Sequence, residues 1–371
     1  MKTDSQADID AAAVRHQADD SCAEAELNRS IIEQALKKFN IPGKITNYTV
    51  GPHIIRFEIT LPVGVKVRVI EKIKGTIAAE FTENIRILAP IHGSSKVGIE
   101  VPRVHRKTIS FRSIIEAKAW QDRNDNIPIV IGKDVAGKTV IIDLTKAPHL
   151  LIAGTIGTGN AECLNTLIAS LLFKFKPDEL KLLLIDSKVT AFDQFERVPH
   201  LLMPPVNDPD KALAVLNQIA DEIDQRYKIM AEAGVKNITG FNSNIDNAKN
   251  AMPYIVVIAN LSVNKNDMEL AIVRIAQKGR AAGVHIVVST QCISPDVVSG
   301  VLKANFQSRI CFKVSTEQES LRVLDAKGAE TLLGNGDMLL QYPLYMKNRR
   351  VQGAFLPADE KDKIVNFARK L

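Results

Sequence analysis

Residues 147–165 read APHLLIAGTIGTGNAECLN. An apolar run, Leu150 to Ala153, enters a loop with three glycines, Gly154, Gly157 and Gly159, and a helical pattern follows from Ala161. Strand, glycine-rich turn and helix N-terminus form the layout of a phosphate-binding P-loop. The glycines let backbone N–H groups close round phosphate oxygens, and the helix dipole adds attraction. The nucleotide-contacting candidates are therefore Gly154, Thr155, Ile156, Gly157, Thr158, Gly159, Asn160 and Ala161. The motif requires Lys and then Ser or Thr after its last glycine, and this chain has Asn160 and Ala161. The bland alternative is an ordinary tight strand-to-helix turn.

A working P-loop NTPase also needs a strand that ends in Asp, usually followed by Glu, to hold magnesium and orient water. The matching strand, Tyr254 to Ile258, runs into Ala259-Asn260-Leu261. Asn260 is neutral and Leu261 has no base. Ser289-Thr290-Gln291 ends a further strand, with Gln291 placed as a γ-phosphate sensor or simply solvated. Strands are expected at Leu150–Ala153, Lys181–Ile185, Tyr254–Ile258, Val284–Ser289, Arg309–Val314 and Met338–Tyr342, with helices between them, the longest over about 210–233. Several are unbroken apolar runs, as for strands buried on both faces of a parallel sheet. The pattern predicts a doubly wound α/β domain over 147–371, with its ligand site at the C-terminal strand edge.

Ahead of it, residues 1–21 are polar and alanine-rich and read as a disordered acidic tail. Ser21 and Glu24 make a capping-box pattern, and Leu27, Ile31, Ala35 and Phe39 share a helical face that stops near Pro42-Gly43. Alternation over Ile54–Thr60 predicts a half-buried strand, 67–81 a helix, and 85–90 and 97–101 further strands. Together they make a small α+β domain over 22–106. Residues 107–146 read as a connecting helix (110–121) and a hairpin (127–144).

The net charge is +6, yet residues 1–30 hold seven acids against three bases, so the rest is more basic still and suits a polyanionic partner. No apolar run reaches the length of a membrane helix, and no signal-peptide pattern is present, which points to the cytoplasm. The four cysteines form no CxxC pair and none lies near a His at ligand spacing, so no metal site or disulfide framework is expected.

These segments together resemble the motor region of the FtsK/SpoIIIE family of DNA translocases. The matches include GPHIIRFE (51–58), PVGVK (62–66), IGKDVAGK (131–138), PHLLIAGTIGTGN (148–160), LLIDSK (183–188), VPHLLMPPVND (198–208), RYKIMAEAGVKNITGFN (226–242), PYIVVIAN (253–260), IAQKGRAAGVHIVVSTQ (275–291), VLKANFQSRICFKVS (301–315) and GAETLLGNGDMLL (328–340). The resemblance runs in register over about 22–360. It implies an α subdomain before a RecA-like P-loop NTPase β subdomain, ATP and Mg as cofactors, duplex DNA in the channel of a hexameric ring, and work in chromosome partition and cell division. Arg280 and Arg322 become inter-subunit candidates. Lys236, Asn237, Asn242, Lys303 and Arg309 are DNA-contact candidates, each weighed against a solvated surface role. The resemblance also implies membrane helices and a winged-helix module in full-length relatives, both expected to be missing here.

The departures fall on the chemistry. Family motors have Lys-Ser at 160–161 and Asp-Glu at 260–261. Glu162 adds negative charge near the phosphate position. The expectation is a DNA-binding pseudoenzyme, in a homo-oligomeric ring or a mixed ring with an active relative, with nucleotide binding disfavoured. The alternative is an active ATP-driven translocase in which Lys188 or another base replaces the lost lysine.

Overall fold

The computed structural model describes residues 4–81, 84–91, 94–186, 192–244, 251–261 and 266–371, with side chains from residue 21 onward apart from Arg68 and Asn266. The chain divides into two compact units, residues 1–108 with 134–138, and residues 109–133 with 139–371.

The first unit runs α1 (Asp4–Lys38), β1 (Lys44–Val50), β2 (Ile54–Thr60), α2 (Arg68–Lys72), α3 (Lys74–Ala79), β3 (Arg86–Leu88) and β4 (Val97–Pro102). Residues 4–38 contain neither Gly nor Pro, so nothing local stops the helix short of its N-terminal end. α1 accordingly starts well before Ser21, where a disordered tail was expected. It stops where Asn40 turns to φ 50° ahead of Pro42. The strands form an antiparallel sheet of order β1-β2-β4-β3. Ile55, Phe57 and Ile59 of β2 are fully buried and pack with Ile32 and Leu36 of α1 in one core. On the opposite face Arg56 and Arg86 pair with Glu100 at 2.5 and 3.6 Å. Arg103, buried, donates to Glu24 at 3.2 Å and to Ser21 at 2.6 Å. The helix expected over 67–81 is two short helices.

The second unit contains α4 (Phe111–Ile115), α5 (Lys118–Gln121), β5 (Pro128–Asp134), β6 (Thr139–Asp143), β7 (His149–Ala153), α6 (Asn160–Lys174), β8 (Leu180–Asp186), α7 (Pro209–Glu232), α8 (Ile238–Asn242), β9 (Tyr254–Leu261), α9 (Asn266–Ala282), β10 (Val284–Thr290), α10 (Gly300–Asn305), β11 (Ser308–Phe312), α11 (Glu317–Leu324), β12 (Asp337–Gln341), β13 (Arg349–Gly353) and α12 (Ala358–Ala368). One nine-stranded sheet holds them in the order β6-β5-β13-β12-β11-β7-β10-β9-β8. The stretch β11-β7-β10-β9-β8 is parallel, and β12 and β13 add antiparallel neighbours. The expected α/β class holds. The β5–β6 hairpin, expected to lie in a separate connector, belongs to this sheet.

Two cores flank the sheet. Alternate residues of each central strand enter one or the other, as the two-residue strand period requires. Leu150 and Ile152 of β7 pack with Leu164, Leu167 and Ile168 of α6, while Leu151 and Ala153 pack with the residues of α7 and α9. β7 lies between β10 and β11. The chain leaves β7 at this point of the sheet, where a doubly wound fold opens its crevice.

At the opposite end of these strands lie His149 and His285, buried with ring centroids 6.2 Å apart. His149 Nδ1 accepts the Ile286 N–H at 3.2 Å, and His285 Nδ1 lies 2.9 Å from the Pro148 carbonyl. Burial, then the charge of His285, pushes His149 down to about 3. Burial pushes His285 down to about 4, against the pull of the Pro148 carbonyl. Both sit below the unfolded value, so their stabilising contribution is full above about pH 6.5 and falls as pH drops towards their folded values. Lowering pH from 7 to 5 should remove about 2 kcal/mol of stability per histidine. Urea unfolding at the two pH values measures it. His149→Asn, which keeps an acceptor for Ile286, should remove about half of that loss.

Candidate functional site: the glycine loop and the strand edge

The loop between β7 and α6 is fastened on both sides by backbone. Lys313, just past β11, accepts from the Thr155 N–H and from Thr155 Oγ1, both at 3.0 Å. The Thr158 carbonyl accepts from the Gly336 N–H at 2.8 Å, and Thr158 Oγ1 donates to the Thr155 carbonyl at 2.6 Å. Gly159 has φ 134°, and a Cβ there would stand 2.8 Å from the Phe312 ring and 2.9 Å from Gly336 Cα. Close packing, as well as conformation, therefore requires glycine at 159.

Asn160 opens α6 and is buried. Its Nδ2 donates to the Thr290 carbonyl at 3.0 Å and to the Gly154 carbonyl at 3.5 Å. The amide thus ties the ends of β7 and β10 together across the crevice. A lysine at this position serves a phosphate with a flexible cation, whereas this asparagine serves two carbonyls of its own chain. Ala161 and Glu162 are exposed in the first turn of α6. Gly159, the cap residue, has no side-chain cap bond. Glu162 supplies the negative charge that a helix N-terminus favours. That charge opposes any anion arriving at the same amides. Cys163 behind them is buried, which pushes its thiol up to about 12 and keeps it unreactive at neutral pH.

Strand register places Asp186, Asn260 and Ser289 side by side at the ends of β8, β9 and β10. Asp186 is 1% exposed, and Asn260 Nδ2 donates to its Oδ1 at 3.0 Å. A carboxylate at 260 would confront Asp186 across the same gap and need a cation between them. The amide satisfies Asp186 without one. Leu261 has the opposite parity and packs, 5% exposed, in the core beneath α7 and α9. Ser289 Oγ and Asn160 Oδ1 are buried without a hydrogen-bond partner among the described residues. No group of three metal-ligating side chains occurs among the described residues. Among the described residues, Ala161 and Asn260 leave Asp186 as the carboxylate at this strand edge, a set that does not fit the magnesium that ATP chemistry uses. Lys188, the suggested substitute cation, lies outside the described residues.

The family model for the FtsK/SpoIIIE family matches residues 110–295, half of the chain, and that for the FtsK alpha domain matches residues 7–103. The chain belongs to the FtsK/SpoIIIE family. It is 42% identical over 351 residues to the DNA translocase FtsK of Clostridium tetani, covering 92% of this chain and 47% of that protein. With the DNA translocase SpoIIIE of Bacillus subtilis it shares 40% over 352 residues, 91% of this chain and 45% of the relative. The chain thus spans about half the length of these FtsK and SpoIIIE relatives. In three dimensions it is similar to the conjugation coupling protein TcpA, with TM-score 0.63, 18% identity, and 92% and 99% of the two chains covered. The cytoplasmic domain of the type VII secretion ATPase EccC of Thermomonospora curvata gives TM-score 0.60 at 20% identity, over 71% of this chain and 34% of that one. These likenesses agree with the P-loop ATPase fold of the second unit. No helix among the described residues is long and apolar enough to cross a membrane.

The other residues singled out from the FtsK/SpoIIIE resemblance are scattered, and several are engaged structurally. Gln291 is half-buried just past β10, one residue beyond the strand end that Asn160 holds. Arg322 Nη1 donates to the Ile293 carbonyl at 2.7 Å, which fixes the loop after β10 to α11. Arg280 is exposed in the last turn of α9. Arg309 is 7% exposed and donates to the Phe306, Lys303 and Val323 carbonyls and to Asp325, so its fork has little left for DNA. Lys303 is held by Asp325 at 2.5 Å. Asn237 caps α8 through Gly240, and Asn242 closes a loop by a reciprocal pair of bonds with Met252. Each of these four side chains has a partner within the chain. Lys236 is exposed at the α7–α8 turn.

Sequence reasoning missed Lys313 and the turn at Gly334-Asn335-Gly336, which hold the loop through main-chain atoms. The run of positive φ at those three residues is 84°, 49° and 86°. The G-N-G spelling signals such a turn, but not which carbonyl it meets.

Proposed function

We propose that the chain is the core of an FtsK/SpoIIIE-type protein that binds duplex DNA and does not hydrolyse ATP at motor rates. The observation that carries this reading is Asn160, whose amide is committed to Thr290 and Gly154 where the phosphate lysine would stand. The pairing of Asn260 with Asp186 supports it from the metal side. A single preorganised charge-stabilising donor is typically worth about 2.7–4 kcal/mol of barrier. Here the phosphate cation, the magnesium hydroxyl and both carboxylates are replaced, so the residues left supply little to the chemical step. DNA is the proposed partner because the chain is basic outside its first thirty residues and its curated relatives are named DNA translocases. Assembly into a homo-oligomeric or mixed ring, residence in the cytoplasm, and a part in chromosome partition belong to the same proposal.

Duplex binding should weaken steeply with salt, since phosphate contacts release counterions. Fluorescence anisotropy with a labelled duplex at about 50 and 200 mM salt should show at least a tenfold loss. Binding that is absent or insensitive to salt contradicts the proposal.

A second reading, an active motor with a relocated cation, is favoured by Lys313. Its carbonyl holds Thr155, its side chain is exposed, and its Cδ lies 3.9 Å from the position of a Cβ on Gly334. If that reading holds, ATP turnover is measurable and Lys313→Ala abolishes it. On the leading reading there is no turnover for the substitution to change.

A further inference from the structure

The hairpin between β12 and β13 carries an exposed apolar tip that the proposed function does not use. Its sequence, Tyr342 to Arg350, is YPLYMKNRR. The Tyr345 N–H closes a turn on the Tyr342 carbonyl at 2.8 Å, with Pro343 and Leu344 at its corners. Pro at the first corner pre-sets the backbone of such a turn. Leu344 is 66% and Met346 88% exposed. Exposed aliphatic side chains are ordinary when scattered, but here two flank one residue at the end of a projecting hairpin.

The tip is built to hold its shape. Tyr342 is buried, and its hydroxyl donates to the Asp143 carbonyl at 3.3 Å. The Tyr345 ring meets the Tyr342 ring edge-on at 5.2 Å. The Arg349 guanidinium lies over the Tyr345 ring, 3.8 Å from its centroid. Such a brace pre-orders the loop and leaves its aliphatic side chains turned to solvent.

Charge selects the partner. Residues 338–358 contain no acid and three bases, Lys347, Arg349 and Arg350. Arg350 is buried against Asp337, which leaves Lys347 and Arg349 exposed and close in sequence to the aliphatic pair. Nearby Asp125 and Asp143 are held by Lys146 at 3.2 and 3.6 Å, so they do not offset the cations of the tip. Along the chain the aliphatic Leu344 and Met346 flank an amphipathic tyrosine, and the cations follow at 347 and 349. An anionic bilayer presents the complementary layers, phosphate headgroups over acyl chain, and Tyr favours that boundary. Neither Leu344 nor Met346 has a flat face for stacking on a base, so the aliphatic pair offers a nucleic acid nothing to bind.

We propose that the β12–β13 tip is a peripheral docking point for an anionic phospholipid surface, with Leu344 and Met346 entering the headgroup–acyl boundary and Lys347 and Arg349 meeting headgroup phosphates. The proposal does not depend on the nucleotide site or on DNA binding.

The test is co-sedimentation of the whole chain with vesicles of phosphatidylcholine alone and of phosphatidylcholine with about one-third phosphatidylglycerol, the range in which charge contributes measurably. The chain should bind the anionic vesicles only. Leu344→Ser/Met346→Ser, which leaves every charge in place, should weaken binding at least about tenfold, as two lost aliphatic anchors imply. Its thermal midpoint and duplex affinity should be unchanged, because both side chains are exposed. Lys347→Glu should weaken vesicle binding as well. No binding by the natural chain, or equal binding by the serine variant, overturns the proposal. Loss of duplex affinity in that variant assigns the tip to DNA instead. Self-association that disappears in the variant without any vesicle binding assigns it to a second copy of the chain.

Discussion

Asp337→Ala is expected to lower stability by about 3–5 kcal/mol, the usual consequence of removing one partner from a buried ion pair. Asp337 and Arg350 are 3% and 5% exposed in their side chains. The guanidinium grips the carboxylate with two bonds, Nε to Oδ1 at 3.0 Å and Nη2 to Oδ2 at 2.6 Å. Oδ2 also accepts the Leu333 N–H at 2.9 Å. Alanine would leave the Arg350 charge buried without its carboxylate, and the loss should exceed what either hydrogen bond is worth alone. The same site braces the glycine loop. Asp337 follows Gly336, whose N–H holds the Thr158 carbonyl. Urea unfolding measures the stability loss. Replacing both partners, Asp337→Leu with Arg350→Met, should recover much of it, because no charge is then stranded. A double variant as unstable as Asp337→Ala would mean that hydrophobic substitutes cannot be packed there.

The second large effect concerns Asn260→Asp. The amide now donates to Asp186 Oδ1 at 3.0 Å. A carboxylate in its place would set two acids in contact at the sheet edge. At an effective dielectric of about 20, two unit charges that close repel by several kcal/mol. The variant should therefore be less stable in a chelator, with one carboxyl forced to stay protonated above its usual range. Divalent cation should restore stability to Asn260→Asp and do little to the natural chain. Thermal unfolding with chelator and with about millimolar magnesium, the range that a carboxylate site requires, gives the comparison. Hydrolysis should not return. Leu261 fills a core position beneath α7 and α9, so a glutamate there would be a buried, unpaired charge.

Much of the second unit was legible because its signals are local. Apolar strand runs, the spacing of Gly154, Gly157 and Gly159, and the long amphipathic repeat of α7 each specify their own element. The four replaced residues were equally visible, as identities. What the sequence did not show is where their side chains go. That Asn160 reaches Thr290, 130 residues on, follows from β7 lying beside β10, and strand order is not a local property. The internal partners of two DNA-contact candidates were hidden for a related reason. Arg309 and Lys303 are basic residues flanking a short helix boundary, and only the fold reveals that both pair with Asp325 on the left-handed cap of α11. The early start of α1 is hidden by the polarity of its first turns and follows instead from the absence of any Gly or Pro over residues 4–38.

The decisive measurement is ATP turnover by the natural chain, in magnesium and saturated with duplex DNA. Phosphate release should be indistinguishable from that of a no-protein control, with duplex binding intact in the same sample. DNA-stimulated turnover on the order of 1 per second or faster, the ordinary range for enzymes, would contradict the proposed function.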